Sequence, residues 1–376
     1  MPEPVRAPIR VLLIAPSMRI IGGQSIQASR LLRYIGERPE VALSFLGFDA
    51  PLPGWIGRTP ILRTVLRSVR YWIALFARAW RYDVLHVFTA SYWSYTLWSL
   101  PALLAAKTYR NRIVLNYRDG RAESHLRTSR SAVPTIRMMD AIVAPSGYLT
   151  GVFAQFGLRC RSIPNVIDPQ AFIYRKRAKL RPVFLHNRSM EPLYNIPCAL
   201  RAFAIVQSKY PDATLTIAGD GPLRAELERL AGELQLSNTC FTGAVPNSQM
   251  PKLLDEADIY LTTPDIDCMP GSLLECYASG LPVVATKAGG IPFIATDGKT
   301  AMLAECGEQE QVAAAALRLL EDPALSGQIA ANAYEDCKTR YAGPEVASQW
   351  VALYAELLSR DLRREPPGDQ RSIRVR

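Results

Sequence analysis

The sequence contains no run of about 18 uncharged apolar residues, the length that a membrane-spanning helix requires. The apolar stretch at residues 11–16 is too short and wrongly flanked for a secretory signal. We therefore expect a cytoplasmic protein without a spanning helix.

Patterns typical of disulfide frameworks and metal sites are also missing. The seven cysteines are odd in number and irregularly spaced, and they include no C-x-x-C pair. The three histidines, His86, His125 and His186, show no i, i+4 pairing. We interpret the cysteines as free buried thiols in a reducing compartment and the histidines as structural, and we expect no metal and no cofactor.

Acidic residues are scarce in the first half of the chain. Residues 1–180 contain 26 lysines and arginines against 9 aspartates and glutamates, a net charge of +17. Residues 181–376 contain 18 against 25, a net charge of −7. This asymmetry predicts an anionic partner for the first half: lipid head groups, a phosphorylated acceptor or a nucleic acid. No RNA-binding or helix-turn-helix signature supports a nucleic acid.

The length of 376 residues exceeds a typical single core and predicts two domains. Short continuous apolar runs alternate with helical patterns, as in parallel sheets covered on both faces. The predicted strands are residues 11–15, 42–48, 84–88, 113–117, 141–145, 183–187, 215–218, 259–263 and 283–286. Examples of the predicted helices are residues 25–36, 199–209, 223–234 and 273–278. The fold class is α/β, with two doubly wound, Rossmann-like domains.

The pattern breaks between residues 164 and 182, which are rich in proline and basic residues. We predict an N-terminal domain over residues 1–170 and a C-terminal domain over residues 171–345. Residues 346–362 form a C-terminal helix able to pack back on the first domain, with Trp350, Leu353, Leu357 and Leu358 on its apolar face. Residues 363–376 are predicted to be a mobile basic tail.

The turn after the first strand contains Gly22 and Gly23 just before a helix. Two glycines there permit positive φ angles and close backbone approach, and the start of a helix offers free N–H groups to an anion. The pattern is not G-x-G-x-x-G, so a dinucleotide site is poorly supported. A simple glycine-rich turn is the alternative.

The strongest constellation spans residues 265–290. Asp267 and Glu275 lie eight residues apart, one before a helix predicted to open at Ser272 and one in its first turn. That helix follows a strand, so its N–H groups would point to the carboxyl edge of a parallel sheet, where α/β folds bind ligands. Carboxylates there suit a ligand rich in hydroxyls. Alternatively, Ser272-x-x-Glu275 is only a capping box.

The order of these residues resembles the C-terminal domain of the retaining glycosyltransferases of family 4. The two acidic residues separated by seven others are followed by Ala278-Ser-Gly280-Leu-Pro282-Val-Val-Ala285 and by Gly289-Gly290. Upstream, Gly219-Asp-Gly221-Pro222 and Phe241-Thr-Gly243 look like the two preceding strand ends of that family. The resemblance covers nearly the whole chain and implies the GT-B fold, in which two Rossmann-like domains face a central cleft.

The resemblance assigns roles residue by residue. It implies that Glu275 binds the ribose of a nucleotide diphosphate sugar, that Asp267 contacts the sugar hydroxyls and that Arg188 neutralises the leaving diphosphate. The other implied donor-binding residues are Gly22, Gly23, Gly219, Cys240, Phe241, Thr242, Gly271, Ser272 and Leu273.

The chain departs from that family pattern at three places. Asp267 replaces the usual glutamate, and the usual lysine is absent, its place falling on Tyr194 or Asn195. A histidine usual in the N-terminal domain is replaced near Arg118. The further candidates for phosphate or acceptor contacts are Arg19, Arg118, Arg121, His125, Tyr194 and Asn195.

Residues 61–82 combine a basic and an apolar stripe in one predicted helix. Arg63, Arg67 and Arg70, with Arg78 and Arg81, fall within a narrow arc, and Trp72 is among the apolar residues between them. Such a helix is able to lie on an anionic membrane surface. The alternative is a surface helix with a solvated arginine face.

The sequence therefore predicts transfer of a sugar from a nucleotide diphosphate sugar to a lipid-linked or polysaccharide acceptor, in cell-envelope or exopolysaccharide synthesis. The place of action would be the cytoplasm or the inner face of the plasma membrane. Two alternatives stay open: a sugar-nucleotide epimerase or phosphorylase on the same fold, and a non-catalytic, membrane-associated homologue that binds sugar nucleotides.

Overall fold

The computed structural model describes residues 7–17, 22–49 and 60–362. These residues form two compact units. The first unit contains the described residues up to 116 together with 131–142 and 347–362, and the second contains 117–130 and 143–346. The domain boundaries at residues 170 and 345 stay predictions.

Twelve strands, counted over the described residues, form two six-stranded sheets. The first sheet has the order β2-β1-β3-β4-β5-β6 and the second the order β12-β11-β10-β7-β8-β9. The strands of the first sheet are β1 (Ile9–Ala15), β2 (Val41–Gly47), β3 (Val84–Thr89), β4 (Arg112–Tyr117), β5 (Ala141–Ala144) and β6 (Cys160–Ser162). Those of the second are β7 (Val183–His186), β8 (Thr214–Ala218), β9 (Thr239–Gly243), β10 (Ile259–Thr262), β11 (Val283–Thr286) and β12 (Met302–Ala304).

Most of the helices connect these strands, and the last three follow β12. In the first half of the chain they are α1 (Gly23–Gly36), α2 (Pro60–Phe76), α3 (Leu100–Tyr109), α4 (Ala122–Thr128), α5 (Ala132–Ile136) and α6 (Gly147–Gln155). In the second half they are α7 (Ile196–Lys209), α8 (Arg224–Glu233), α9 (Met250–Glu256), α10 (Gly271–Ala278), α11 (Gln309–Glu321), α12 (Pro323–Arg340) and α13 (Gly343–Leu362).

The nine predicted strands are confirmed, with ends that differ by at most two residues. Their neighbours in the central part of each sheet run parallel. Strands β6, β9 and β12 were not predicted as strands. Strands β6 and β9 are edge strands in which exposed and polar residues interrupt the apolar pattern, and β12 has only three residues.

Both faces of the second sheet are covered by helices. Successive side chains along a strand point to opposite faces, so neighbouring residues of one strand enter different cores. On one face, Phe184 of β7 and Leu261 of β10 pack in a core built with α7 and α11. On the other face, Leu185 and Tyr260 pack in a core built with α10 and α12. This two-faced burial explains why the strands read as continuous apolar runs.

The basic segment at the predicted break is held on the second unit by a buried carboxylate. Asp258 is almost fully buried and accepts hydrogen bonds from Arg175 at 2.7 Å and from Arg181 at 3.0 Å. Arg177 is also buried, and its guanidinium donates to main-chain carbonyls that include those of residues 257 and 280. Removing one partner of such a buried pair would strongly destabilise the fold, because the other charge would stay buried without compensation.

Helix α13 belongs to the first unit from Ala347 onward. Trp350, Leu353 and Leu357 are buried and Leu358 is half-buried, so the predicted apolar face of this helix is confirmed. His86 of β3 stacks on Trp350 with 4.2 Å between the ring centroids, and its Nδ1 lies 2.7 Å from the Tyr354 hydroxyl. These contacts fix the helix against the first sheet.

All seven cysteines are free, as expected, but they are not all buried. Cys240 and Cys306 are exposed, because each lies at the margin of the second sheet rather than in its core. Over residues 7–17, 22–49 and 60–362, no helix combines the length and the apolar character that crossing a bilayer demands.

His186 supplies a test of the packing of the second unit. It is fully buried at the end of β7, and neither ring nitrogen has a hydrogen-bond partner among the described residues. Burial lowers the pKa of His186 to about 3. Below about pH 6.5 the unfolded chain therefore binds a proton at His186 that the folded chain does not bind. As the pH falls from there, this difference lowers the free energy of unfolding by about 1.4 kcal/mol per pH unit.

We expect His186→Leu to be at least as stable as the original chain at pH 8, because it removes two unsatisfied buried polar atoms. Its free energy of unfolding should also fall less steeply between pH 6 and pH 4. Urea unfolding at a series of pH values measures both. Parallel stability curves for the two proteins would show that His186 does not stay neutral in the folded state.

Candidate functional site

The candidate site is built where neighbouring parallel strands of the second sheet end. Strand β7 leads into Asn187 and Arg188, and β10 leads into the loop that contains Asp267. Because β7 and β10 pair in parallel, both segments leave the sheet at its carboxyl edge. The second unit therefore brings together one cationic and one anionic side chain from distant parts of the sequence.

Arg188 and Asp267 form a nearly buried ion pair. A guanidinium N–H of Arg188 donates to Asp267 Oδ2, while Asp267 Oδ1 accepts from the backbone N–H of Met269 at 3.1 Å. Burial lowers the pKa of Arg188, but attraction to Asp267, with smaller contributions from Tyr194 and Tyr260, more than offsets this and raises the pKa above its ordinary value. Arg188 is therefore fixed in its charged form.

Ser272 joins this pair from the start of α10. Its Oγ lies 3.3 Å from Arg188 Nη1 and 3.0 Å from the Tyr260 hydroxyl. The Tyr260 hydroxyl in turn donates to Asn187 Oδ1 at 2.6 Å. The predictions did not include Tyr260 or Asn187; the only signal was a hydroxyl inside an otherwise apolar strand, which must find a buried partner.

The predicted start of α10 is wrong by one residue. The helix begins at Gly271 after Pro270, and no side chain caps it. Ser272 thus lies inside the helix instead of capping it, which removes the capping-box interpretation. Glu275 is in the second turn, not the first, and is buried three residues after Ser272, on the same side of the helix. Leu273 is fully buried in the core.

Tyr194 and Asn195 occupy the position where the resemblance predicts a lysine. The ring of Tyr194 packs against the Arg188 guanidinium, 4.2 Å from the ring centroid to Cζ. Asn195 has a left-handed backbone (φ 42°), caps α7 by accepting from the Cys198 N–H, and donates to Asp265 Oδ1 at 2.9 Å. Asn195 therefore joins α7 to the loop of residues 263–270, which contains Asp265 and Asp267 and is called the acidic loop below.

Two glycines let the chain pack directly on the acidic loop. The N–H of Gly290 donates to the carbonyl of Asp267 at 2.8 Å, and the Ser146 hydroxyl donates to the carbonyl of Cys268 at 2.5 Å. A Cβ on Gly289 would clash with the Asp267 carbonyl, and one on Gly290 with the Cys268 carbonyl. The backbone around Asp267 is thus enclosed by main chain.

The loop after β4 lies beside the same acidic loop. A Cβ on Gly120 would approach Ile266 Cγ1 to 3.1 Å, so this loop already touches residue 266. Arg118 is buried and donates to Asn165 Oδ1; burial, partly opposed by the neighbouring Cys268, lowers the pKa of Arg118 to about 10. The structure therefore brings Arg118 to the immediate neighbourhood of Asp267.

Two further candidates, Arg121 at the start of α4 and His125 within it, contact residues close in the sequence. Arg121 pairs with Asp119 at 3.0 Å. The buried His125 ring lies with its Nδ1 2.7 Å from the Tyr117 hydroxyl, and burial, partly opposed by Asp119, lowers the pKa of His125. Both contacts favour structural roles, although the assignment to phosphate or acceptor stays a prediction.

The remaining donor-binding candidates of the second unit lie at the ends of β8 and β9. Gly219 passes so close to the Arg188 carbonyl that a Cβ would clash with it. Cys240 and Thr242 are exposed and Phe241 is half-buried. Thr242 opens onto a groove of about 550 Å³, lined also by Val245, Pro246, Gln249, Lys252 and Leu253.

The glycine turn of the first unit leads directly into α1. Gly22 has an extended backbone (φ −179°) and Gly23 starts the helix, so neither uses the positive φ that a glycine permits, and their assignment to donor binding stays a prediction. A Cβ at either position would meet nothing within 4 Å, so internal packing does not require these glycines. Arg19 lies outside the described residues.

The basic helix is shorter than predicted, because α2 ends at Phe76 and a separate 3-10 turn covers Ala79–Arg81. Arg63 and Arg67 are half-buried, whereas Arg70 and Trp72 are exposed.

Within the part of the chain that the structure describes, no cluster of three histidine, cysteine, aspartate or glutamate residues is arranged to hold a metal ion.

Comparison with known proteins gives a family match for part of the chain. Residues 172–336 match the model of the family "Glycosyl transferases group 1". The chain is 26% identical over 211 residues to N-acetyl-alpha-D-glucosaminyl L-malate synthase from Bacillus anthracis, a region that covers 54% of this chain and 55% of that protein. It is 30% identical over 156 residues to the lipopolysaccharide core biosynthesis glycosyltransferase LpsD from Rhizobium meliloti, covering 41% and 44% of the two chains. The chain thus spans about half the length of these relatives.

The structure is also similar to solved structures over nearly its full length. HepE from Anabaena, solved in complex with UDP and glucose, superposes with a TM-score of 0.72 at 19% identity, covering 93% of this chain and 99% of that one. The two parallel six-stranded sheets therefore form a GT-B fold, and the predicted fold class is confirmed.

Gly290 tests whether main-chain packing holds the acidic loop. We expect Gly290→Ala to lower the free energy of unfolding by about 1–3 kcal/mol, because the new Cβ overlaps backbone that cannot move aside. Gly232→Ala is the matched control: Gly232 lies in α8 with nothing within 4 Å, and alanine there should be neutral or stabilising. Urea unfolding measures both, and equal stabilities would contradict the packing described.

Proposed function

We propose that this protein is a glycosyltransferase that moves a sugar from a nucleotide diphosphate sugar to a hydroxyl of a lipid-linked or polysaccharide acceptor. The observation that carries the proposal is the buried Arg188–Asp267 pair beside the first turn of α10. The family match over residues 172–336 supports it, since that region contains Arg188, Asp267 and Glu275.

Arg188 is suited to a diphosphate leaving group. Its planar guanidinium carries five N–H donors, and its partners among the described residues, Asp267, Ser272 and Tyr194, do not use all of them. The pair therefore orients the group while leaving donors for phosphate oxygens. Charge-assisted donors that are fixed before the reaction stabilise developing negative charge without reorganisation.

The start of α10 adds a second source of positive potential. The backbone N–H groups of Gly271 and Ser272 belong to the first turn, where the helix has no internal acceptors for them. In the proposed complex these groups meet the donor, Glu275 binds the ribose, and Asp267 contacts the sugar hydroxyls. Gly22 and Gly23 would approach the phosphates, and residues 240–242 the base.

The finer mechanism that we propose is retaining and independent of metal, as the resemblance to family 4 implies. Transfer would proceed on one face of the sugar, with the leaving phosphate helping to take the proton of the acceptor hydroxyl. Arg188 would stabilise the phosphate as its bond to the sugar breaks. Drying of the bound site and alignment of the two reactants would supply a large part of the acceleration.

A non-catalytic sugar-nucleotide-binding homologue is the second candidate, and Asn195 is the observation that favours it. Neither Tyr194 nor Asn195, on which the lysine position falls, offers a cation to a phosphate, and Asn195 is engaged in a helix cap and in a contact with Asp265. An enzyme should hydrolyse or transfer the sugar of a bound donor, whereas a binding protein should leave it intact. Sugar exchange without acceptor, or a requirement for free phosphate, would instead indicate an epimerase or phosphorylase.

We expect Arg188→Ala to keep part of its affinity for the donor but to slow transfer by about 10²–10³-fold, because a fixed donor to the leaving group is lost. Glu275→Ala should abolish donor binding. A thermal-shift panel of nucleotide sugars identifies the donor, and calorimetry and sugar release then measure the variants. Normal transfer by both variants would overturn the assignment of the site.

Two controls separate chemistry from folding. Arg188→Lys keeps a cation beside Asp267, so it avoids the unpaired buried charge that alanine leaves behind, which alone costs about 3–5 kcal/mol. Arg340→Ala removes an exposed arginine paired with Asp336 on α12 and should behave like the original protein. Circular dichroism of each variant checks that it is folded.

Asp267→Asn tests the ion pair itself. Asparagine keeps the size and an acceptor for the Met269 N–H, but it removes the charge that holds Arg188 in place. We expect transfer to fall about 10–100-fold, with a smaller loss for Asp267→Glu, which keeps the charge. Equal activity of the asparagine variant and the original protein would show that the pair does not serve the reaction.

A further inference from the structure

Helix α2 has an exposed apolar face. Six of its large apolar side chains are between 45% and 82% exposed. They are Ile61, Leu62, Val65, Val69, Trp72 and Ile73. At about 100° per residue these positions fall within about 120° of the helix circumference, so they form one continuous strip.

A second strip fixes the orientation of the helix. Ser68, Tyr71 and Leu75 are buried and lie on another side of α2, within about 60° of each other. The Tyr71 hydroxyl donates to the carbonyl of Trp98 at 2.8 Å, and the Trp72 indole N–H donates to the carbonyl of Leu97 at 3.3 Å. These bonds attach α2 to the first unit and keep its apolar strip turned outward.

The arginines form a third strip. Arg63, Arg67 and Arg70 span about 60° of the circumference, beginning about 60° beyond the edge of the apolar strip at Ile73. Just past the helix, Trp80 is 58% exposed and the guanidinium of Arg81 lies 5.0 Å from its ring. Apolar, aromatic and cationic groups are therefore present on one exposed segment.

We propose that the apolar strip of α2 inserts into the interface of an anionic membrane while the neighbouring arginines bind its head groups. The net charge of +17 in residues 1–180 favours the same surface. The inference adds to the proposed function by naming the face that would meet a membrane carrying a lipid-linked acceptor. It rests on the proposed function only for the presence of that acceptor in the membrane.

A lipid surface fits these observations better than a second copy of the chain. In a two-fold dimer the apolar strip would meet the same strip of the second copy, which would offer the arginines no opposite charge. An anionic lipid surface instead offers opposite charge beside an apolar phase. Helices with this division of faces lie in the plane of the interface with their apolar side among the acyl chains.

The test is sedimentation of the full chain with vesicles of phosphatidylcholine containing phosphatidylglycerol, compared with phosphatidylcholine alone. We expect binding to the anionic vesicles, a loss of about tenfold or more in affinity for Val65→Asp/Ile73→Asp, and about fivefold per arginine for Arg63→Gln/Arg70→Gln. Raising the salt concentration should weaken the original protein but should weaken the arginine variant less.

Ile173→Asp is the matched control, because Ile173 is 56% exposed in the second unit, away from α2 in sequence, and its replacement should leave binding unchanged. Undiminished vesicle binding by Val65→Asp/Ile73→Asp overturns the proposal. So does a dimer in analytical ultracentrifugation that these substitutions dissociate, if vesicles are not bound. None of the donor contacts proposed above comes from α2, so donor binding, measured by calorimetry without vesicles, and vesicle binding can fail separately.

Discussion

The ion pair of Arg188 and Asp267 is the interaction on which the site depends. Each charge would be costly to bury alone, so each residue requires the other, and the pair links the segments that follow β7 and β10. The main chain supports the pair through Met269 on one side and Gly290 on the other. The geometry of the cation is therefore set by packing before any ligand arrives, which is the condition under which electrostatic stabilisation is most effective.

Much of the fold could be predicted because a parallel strand that is buried on both faces appears in the sequence as a continuous apolar run. Strand β11 is entirely buried and reads as an uninterrupted apolar run, so its limits were predicted to the residue. Strand β9 could not be found in that way, since it lies at an edge and alternates half-buried with exposed residues around Cys240. Its conformation is determined by pairing with β8, which sequence pattern alone does not contain.

The part of the site that lies within one short segment could be predicted from the spacing of its residues. Contacts between residues that are distant in the sequence could not. Asp267, Ser272 and Glu275 lie within nine residues, and their proximity follows from one loop and one helix. The hydroxyl of Tyr260 enters the site only because β10 pairs with β7 and places it beside Asn187. For the same reason, no pattern in the sequence distinguishes Ser272 as a partner of Arg188 from Ser272 as a helix cap.

The left-handed backbone of Asn195 limits how this site could change by substitution. A lysine at that position would have to adopt a conformation that costs a non-glycine, non-asparagine residue about 1–2 kcal/mol. It would also lose the cap on α7, a further loss of about 1 kcal/mol. A chain with lysine at residue 195 would therefore lose about 2–3 kcal/mol of stability, which any gain in phosphate binding would have to offset.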